Sequence, residues 1–338
     1  MTFPRRRESI VIIRPLDERR NRCIFPFMID PLNNRDSLST CALCPRGCNA
    51  DRVDGALGYC EVGAELPISS ICRHMGEEPV LSGRHGICNV FFAHCNLQCI
   101  YCQNYQISSN RRSTTSVAMS LEEAVRQIEH ILNHGARGVG FVSPSHCLTQ
   151  MRAIMRALAE RGRRPTYVYN TNGYDRVKTI KALEALVAVY LPDLKYMDNR
   201  LAHEYSDVSD YVEVACAALK EMYRQTGAEI DLDDEGHITR GLIVRHLVLP
   251  GHVDNSKTVL RFIADNLSPD VHISLMAQYH PTPAVRRHSK LHRCLRAEEY
   301  EEVVDEFERL GFYRGWVQSL SSPSHYLPDF DKRHPFED

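Results

Sequence analysis

The sequence predicts an α/β fold, a mostly parallel sheet wrapped by helices, standing behind a cysteine-rich N-terminal lobe. Three features carry this. Short apolar runs punctuate the chain from Val90 onward, stretches with helical spacing separate them, and the cysteines crowd into the first third. Six runs alternating with helices imply βα units and therefore parallel strand neighbours. Such a chain suits a partial β/α barrel or a doubly wound sheet, and periodicity does not choose between them. Either way, chemistry belongs on loops at the carboxyl ends of strands.

In chain order the apolar runs cover residues 90–92, 138–142, 166–169, 186–191, 241–249 and 271–277. Ser120-Leu-Glu-Glu123 has the capping-box pattern and opens a helix with Ala124, Ile128, Ile131 and Leu132 on one face. Helical spacing recurs over 148–161, 175–185, 209–226, 256–266 and 297–310. Residues 1–85 hold many Gly, Pro and Cys with little periodicity and read as a loop-rich lobe organised by its ligands. Residues 86–320 then form the barrel or sheet. Residues 321–338, rich in Ser, Pro, His and charge, form a tail whose His325 and His334 read as solvated.

At 338 residues the chain can bury a substantial core, and 43% hydrophobic with 25% charged residues is ordinary for a globular protein. A formal net charge of -2 offers no field to attract nucleic acid or a membrane surface. Arg5, Arg6 and Arg7 make the N-terminus basic, but the apolar run 10–13 is too short for a bilayer span or secretory core. A cytoplasmic location is expected, with neither membrane nor nucleic acid as partner.

Nine of the 13 cysteines fall between Cys23 and Cys99, and Cys102 follows directly. A disulfide scaffold would be short and exported, so clustered cysteines here read as metal ligands or redox groups. Cys147, Cys216 and Cys294 stand alone and read as small buried hydrophobes. Cys41, Cys44, Cys48 and Cys60 supply four thiolates, for which zinc, a second iron–sulfur cluster acting as an electron relay, and a metal-free lobe all stay open. Cys72 and Cys88 are possible substitutes for one of the four, and Arg46 and His74 are candidates for supporting contacts.

Cys95-Asn-Leu-Gln-Cys99-Ile-Tyr-Cys102 follows the first apolar run. Three thiolates at this spacing fit one loop and bind three irons of a 4Fe–4S cubane, leaving the fourth iron open to a cofactor. With 13 cysteines, chance gives the spacing about 0.02 times per chain.

The stretch Phe92-Ala-His-Cys-Asn-Leu-Gln-Cys-Ile-Tyr-Cys-Gln-Asn104 resembles the cluster loop of the radical S-adenosylmethionine (SAM) superfamily. The resemblance implies a partial (β/α)6 barrel of the radical SAM type, a SAM-chelating 4Fe–4S cluster on Cys95, Cys99 and Cys102, and adenine lying against Tyr101. Asn170-Thr-Asn-Gly-Tyr-Asp175, Pro192-Asp-Leu-Lys195, Arg245-His-Leu-Val-Leu-Pro-Gly251 and Gln278-Tyr-His280-Pro281, each after an apolar run, resemble strand ends of pyruvate formate-lyase-activating enzymes. That likeness places Asp193 and Lys195 near the SAM carboxylate or a cation, His280 at the ribose, and Asn170 where relatives often carry an acid. Cys44-Pro-Arg, His74-Met-Gly-Glu-Glu-Pro79 and Ser143-Pro-Ser-His146 resemble the PflX-type group, with the likeness running over about residues 38–320.

Where activating enzymes usually carry Gly-Gly-Glu to bind the methionyl amino group, this chain has Val142-Ser-Pro-Ser-His146. Ser143 and its neighbouring carbonyls are expected to take that role, with Glu77 or Glu78 as the other candidates. The resemblance implies reductive SAM cleavage with electrons from a flavodoxin- or ferredoxin-like donor, and hydrogen abstraction from a partner such as a glycyl-radical enzyme. Modification of another peptide or small molecule is the second enzymatic reading. An iron–sulfur or zinc protein of electron transfer or interaction, without SAM chemistry, is the reading from another class.

Overall fold

The computed structural model describes residues 36–111, 119–320, 328–332 and 335–336. The N-terminal arginines, Cys23, His325 and His334 lie outside the described residues. Among the described residues nine strands form one sheet: β1 Ile68–His74, β2 Ile87–Phe92, β3 Gly138–Val142, β4 Thr166–Thr171, β5 Val189–Pro192, β6 Asp231–Leu232, β7 Ile238–Leu247, β8 His272–Met276 and β9 Gly315–Val317. Their order is β1-β2-β3-β4-β5-β7-β8-β9, with β6 pairing β7 off this path. β1 runs antiparallel to β2, and every pair from β2–β3 to β8–β9 along the path is parallel. The sheet is an unclosed barrel.

The six anticipated strands are β2, β3, β4, β5, β7 and β8. Every residue of β2, β3 and β5 is buried, as a parallel sheet covered on both faces requires. Adjacent residues face opposite layers: Tyr169 and Val244 join the large core under the helices, while Val168 and Ile243 fill a smaller inner one. The helices fall where the periodicity put them, with bounds such as Leu148–Glu160, Tyr211–Thr226 and Ala297–Arg309. Ser120 caps Leu121–Asn133 by accepting from the Glu123 amide at 3.1 Å. The Glu123 carboxylate turns to Arg126 and Gln127.

Register aligns the strand ends. Val142 lies beside Asn170, and Thr171 beside Pro192. One level across the other half reads Asp193, Arg245, Ser274 and Trp316. A parallel sheet with its carboxyl ends in register gathers side chains from distant sequence at one mouth.

Upstream of β1, residues 36–66 fold against this body. Leu38, Leu43 and Val62 join the large core. Thr179 donates to the Leu43 carbonyl at 3.0 Å, and Arg176 to the Cys44 carbonyl at 2.8 Å.

Candidate active site

The loop after β2 carries the three spaced cysteines to the mouth of the barrel. Asn110 holds it closed, accepting from the Cys95 amide at 3.1 Å and donating to the Cys95 carbonyl at 2.9 Å. From the far side, Thr282 donates to the Ile100 carbonyl at 2.6 Å, and Gln103 to the Gln278 carbonyl at 2.7 Å. Cys95, Cys99 and Cys102 all line one cavity of about 440 Å³, the size of a cofactor site.

Each of the three sulfurs accepts a hydrogen bond. Cys95 receives the Leu97 amide and the Asn172 side-chain amide, both at 3.4 Å. Cys99 receives Ser206 Oγ at 3.0 Å, and Cys102 receives Ser108 Oγ at 3.3 Å. Donors of this kind favour a thiolate over a thiol, so the residues present fit a cluster held through anionic sulfur. In the free thiols burial outweighs these donors and pushes Cys95 up to about 12 and Cys99 to about 11, with Lys195 opposing the rise at Cys99.

Of the other sequence-predicted residues, Tyr101, Ser143, Asn170, Asp193 and Lys195 line the same cavity. Lys195 pairs with Asp193. Burial opposes the Lys195 charge, but Asp193 and Cys99 outweigh it and raise its pKa, so the ammonium persists. Tyr101 ends a chain: its hydroxyl meets Tyr196 at 2.6 Å, Tyr196 meets Ser206 at 2.7 Å, and Ser206 reaches Cys99. Ser143 sits at φ 52, a left-handed conformation natural to glycine, and its amide donates to the Asn170 carbonyl at 2.8 Å. Gly173 passes so near Asp193 that a Cβ there would stand 2.3 Å from the Asp193 carbonyl oxygen. His280 is half-buried and outside the cavity wall; Gln278, from the same segment, lines it.

Sequence reasoning undervalued the opposite wall. Arg245, cited only as part of a motif, is mostly shielded from solvent and grips Glu78 at 2.8 and 2.6 Å while also pairing with Glu77. Asn89 donates to Glu77 at 2.8 Å. Burial works against the Glu77 carboxylate, yet Arg245 prevails and holds it at about 2. Asn172, which lies within the Asn170–Asp175 motif without a role of its own there, and Ser206, which carries no local signal, feed the sulfurs. At the rim, Phe336 packs on His74 and Phe91, and Phe330 on Phe91, while Gln106 contacts Asp329, Phe330 and Asp331.

The second set of thiols is built differently. Cys41, Cys44, Cys48 and Cys60 line a separate void of about 10 Å³. Burial pushes Cys44 up to about 12, with its neighbours Cys60, Cys41 and Cys48 adding to the rise. In neither set are three or more ligating side chains already drawn around one point; this holds throughout the described residues. Among those residues no helix is long and apolar enough to cross a membrane.

An open, mostly parallel α/β barrel with three thiols on the loop after its first parallel strand, facing charged strand ends, defines a class that works through a cluster at the barrel mouth. The family model described as the radical SAM superfamily matches residues 89–263, more than half of the chain, and the chain belongs to that superfamily. It is 27% identical over 279 residues to an uncharacterized protein of Methanocaldococcus jannaschii, a match covering 81% of this chain and 76% of that one. Among solved structures it resembles Streptococcus suis SuiB bound to its precursor peptide SuiA, at TM-score 0.46 and 13% identity over 70% of this chain. The chain spans 49% of SuiB. A domain of a pyruvate-formate lyase-activating enzyme from Bacteroides vulgatus is similar at TM-score 0.36 and 15% identity, over 51% of this chain and 93% of that domain.

Proposed function

We propose that this chain cleaves SAM reductively and abstracts hydrogen from a partner, in the manner of PflX-type relatives of the activating enzymes, with the glycine of a glycyl-radical enzyme as that partner. The observation that supports this is the convergence, on one cavity, of three hydrogen-bonded thiols and two groups of paired charges. Superfamily membership implies a 4Fe–4S cluster and SAM. When bound, cluster and SAM together take one electron from an external flavodoxin- or ferredoxin-like donor and supply methionine and a 5′-deoxyadenosyl radical.

The chain's own residues bind and orient. Cys95, Cys99 and Cys102 hold three irons, and the donors on their sulfurs stabilise negative charge there. Lys195, kept protonated by Asp193, faces the methionyl carboxylate. Glu77 and Glu78 against Arg245 leave one negative charge in excess, which favours the amino group or sulfonium. Ser143 and the carbonyls beside it contribute acceptors, as does Asn170. Tyr101 supplies a wall for adenine, and Gln278 the polar contact that the family likeness gives to His280.

The test is anaerobic reconstitution with iron and sulfide, dithionite reduction, and chromatography for 5′-deoxyadenosine. Its formation supports the reading; none from protein holding about four irons per chain overturns it. An organic radical appearing on an added glycyl-radical enzyme separates the activase from an enzyme acting on another peptide or a small molecule.

A further inference from the structure

The lobe upstream of β1 holds thiols that the chemistry above does not use. We propose that Cys41, Cys44, Cys48 and Cys60 bind a single zinc ion, independent of the cluster at the barrel mouth. The void they share has room for about one water-sized sphere. That suits one ion with four sulfurs about 2.3 Å from it, whereas a cubane needs several times the space.

The surroundings are prepared for anionic sulfur. The amides of Arg46 and Val62, each two residues beyond a cysteine, donate to Cys44 and Cys60. The Tyr59 amide donates to Cys48 at 3.3 Å, and Arg52 Nη1 lies 3.8 Å from Cys41. Gly58 is pressed against Cys48, where a Cβ would come within 2.9 Å of the sulfur.

Arg52 lies at this void without an anion to meet it. It is 2% exposed and lines the void, and among the described residues its Nη2 has no hydrogen-bond partner. Its Nε and Nη1 go to the neutral carbonyls of Gly63 and His146, at 2.9 and 2.8 Å. A buried guanidinium facing only neutral groups is costly. Zinc with four thiolates carries two net negative charges, and so supplies the anion this cation lacks.

The full chain, purified anaerobically with Cys95, Cys99 and Cys102 all changed to Ala, is analysed for metals. About one zinc per chain is expected, lost when Cys48→Ser is added and kept when Cys216→Ser is added instead. Cys48 is exposed, so its replacement spares the core. Cobalt replacing zinc should give the charge-transfer absorption of a tetrahedral thiolate site, weakened by Cys48→Ser. About four irons without zinc in the triple variant overturns the proposal, as does neither metal with no cobalt–thiolate band. The barrel cluster is absent from this variant, so the result stands apart from the test of SAM cleavage.

Discussion

Two sets of thiols lie in one chain, and what surrounds them differs. At the barrel mouth Cys95, Cys99 and Cys102 border about 440 Å³ beside Asp193, Lys195 and Arg245; in the lobe four cysteines close on about 10 Å³. Both receive N–H donors at sulfur. Their arginines separate them: Arg245 is met by two carboxylates, Arg52 by backbone carbonyls and the Cys41 thiol. A cation already met by carboxylates leaves a cavity free to receive a cofactor, while a cation met by no anion calls for an anionic centre to stay. Cysteine spacing alone does not tell a reactive site from a structural one; the room and the counter-charge do.

The largest expected effect tests whether the two sets are independent. Cys95→Ala, Cys99→Ala or Cys102→Ala each takes 5′-deoxyadenosine formation to background and removes the SAM-responsive paramagnetic signal, while the lobe keeps its metal. A normal signal in any one variant would sink the cluster assignment. Next come the arginines. Arg245→Met leaves Glu77 and Glu78 buried without a cation and costs about 3–5 kcal/mol in denaturant unfolding, with or without metal. Arg52→Met should destabilise the zinc-loaded chain more than the metal-free one, which loses only the bonds to Gly63 and His146; equal losses in both states would erase the distinction between the regions. Third, Asp193→Ala and Lys195→Ala retain full iron but weaken SAM binding by about 10- to 150-fold, the loss of one hydrogen bond to a charged group worth about 1.5–3 kcal/mol. Equilibrium binding unchanged in both would misplace the methionyl end.

The smallest effect is on pH. Burial lowers His146 and His246 to about 4 from an ordinary 6.5. Between those values the unfolded chain binds the protons and the folded chain refuses them, so stability falls as pH drops from 6.5 to 4. Each imidazole contributes up to about 1.4 kcal/mol per pH unit to that slope. His146 joins the regions, meeting the Ala93 carbonyl at 2.9 Å while its own carbonyl accepts from Arg52. His246, bonded to Leu194 and Ser256, belongs to the barrel alone. His246→Asn should flatten the pH dependence of the unfolding midpoint; a curve parallel to the parent's would show that His246 is not one of the titrating groups.

The parallel strands were legible because strands buried on both faces must be almost continuously apolar, as Gly138–Val142 is. β1 was not: Ile68–His74 pairs only through β2, and its Ser, Cys, Arg and His alternate between buried and exposed without an apolar run. β9, at three residues, is too short to carry a period. Local spacing exposed Cys95, Cys99 and Cys102 because one loop holds all three. The Arg245 pairs with Glu77 and Glu78 span 168 and 167 residues, and only strand register creates them. Ser143 was noticed as a departure from a family pattern, but its left-handed backbone is visible only in the fold.

The described rim residues 328–332 and 335–336 rest on two phenylalanine rings and the side chain of Gln106, and share no strand ladder with the sheet. Ring contacts of this kind are worth about 0.5–1.5 kcal/mol each and tolerate many partners. Mutations in this segment therefore reshape the entrance while the strand ends keep their alignment. The wall that Pro328 and Phe336 give the cavity can thus change without disturbing the sheet beneath it.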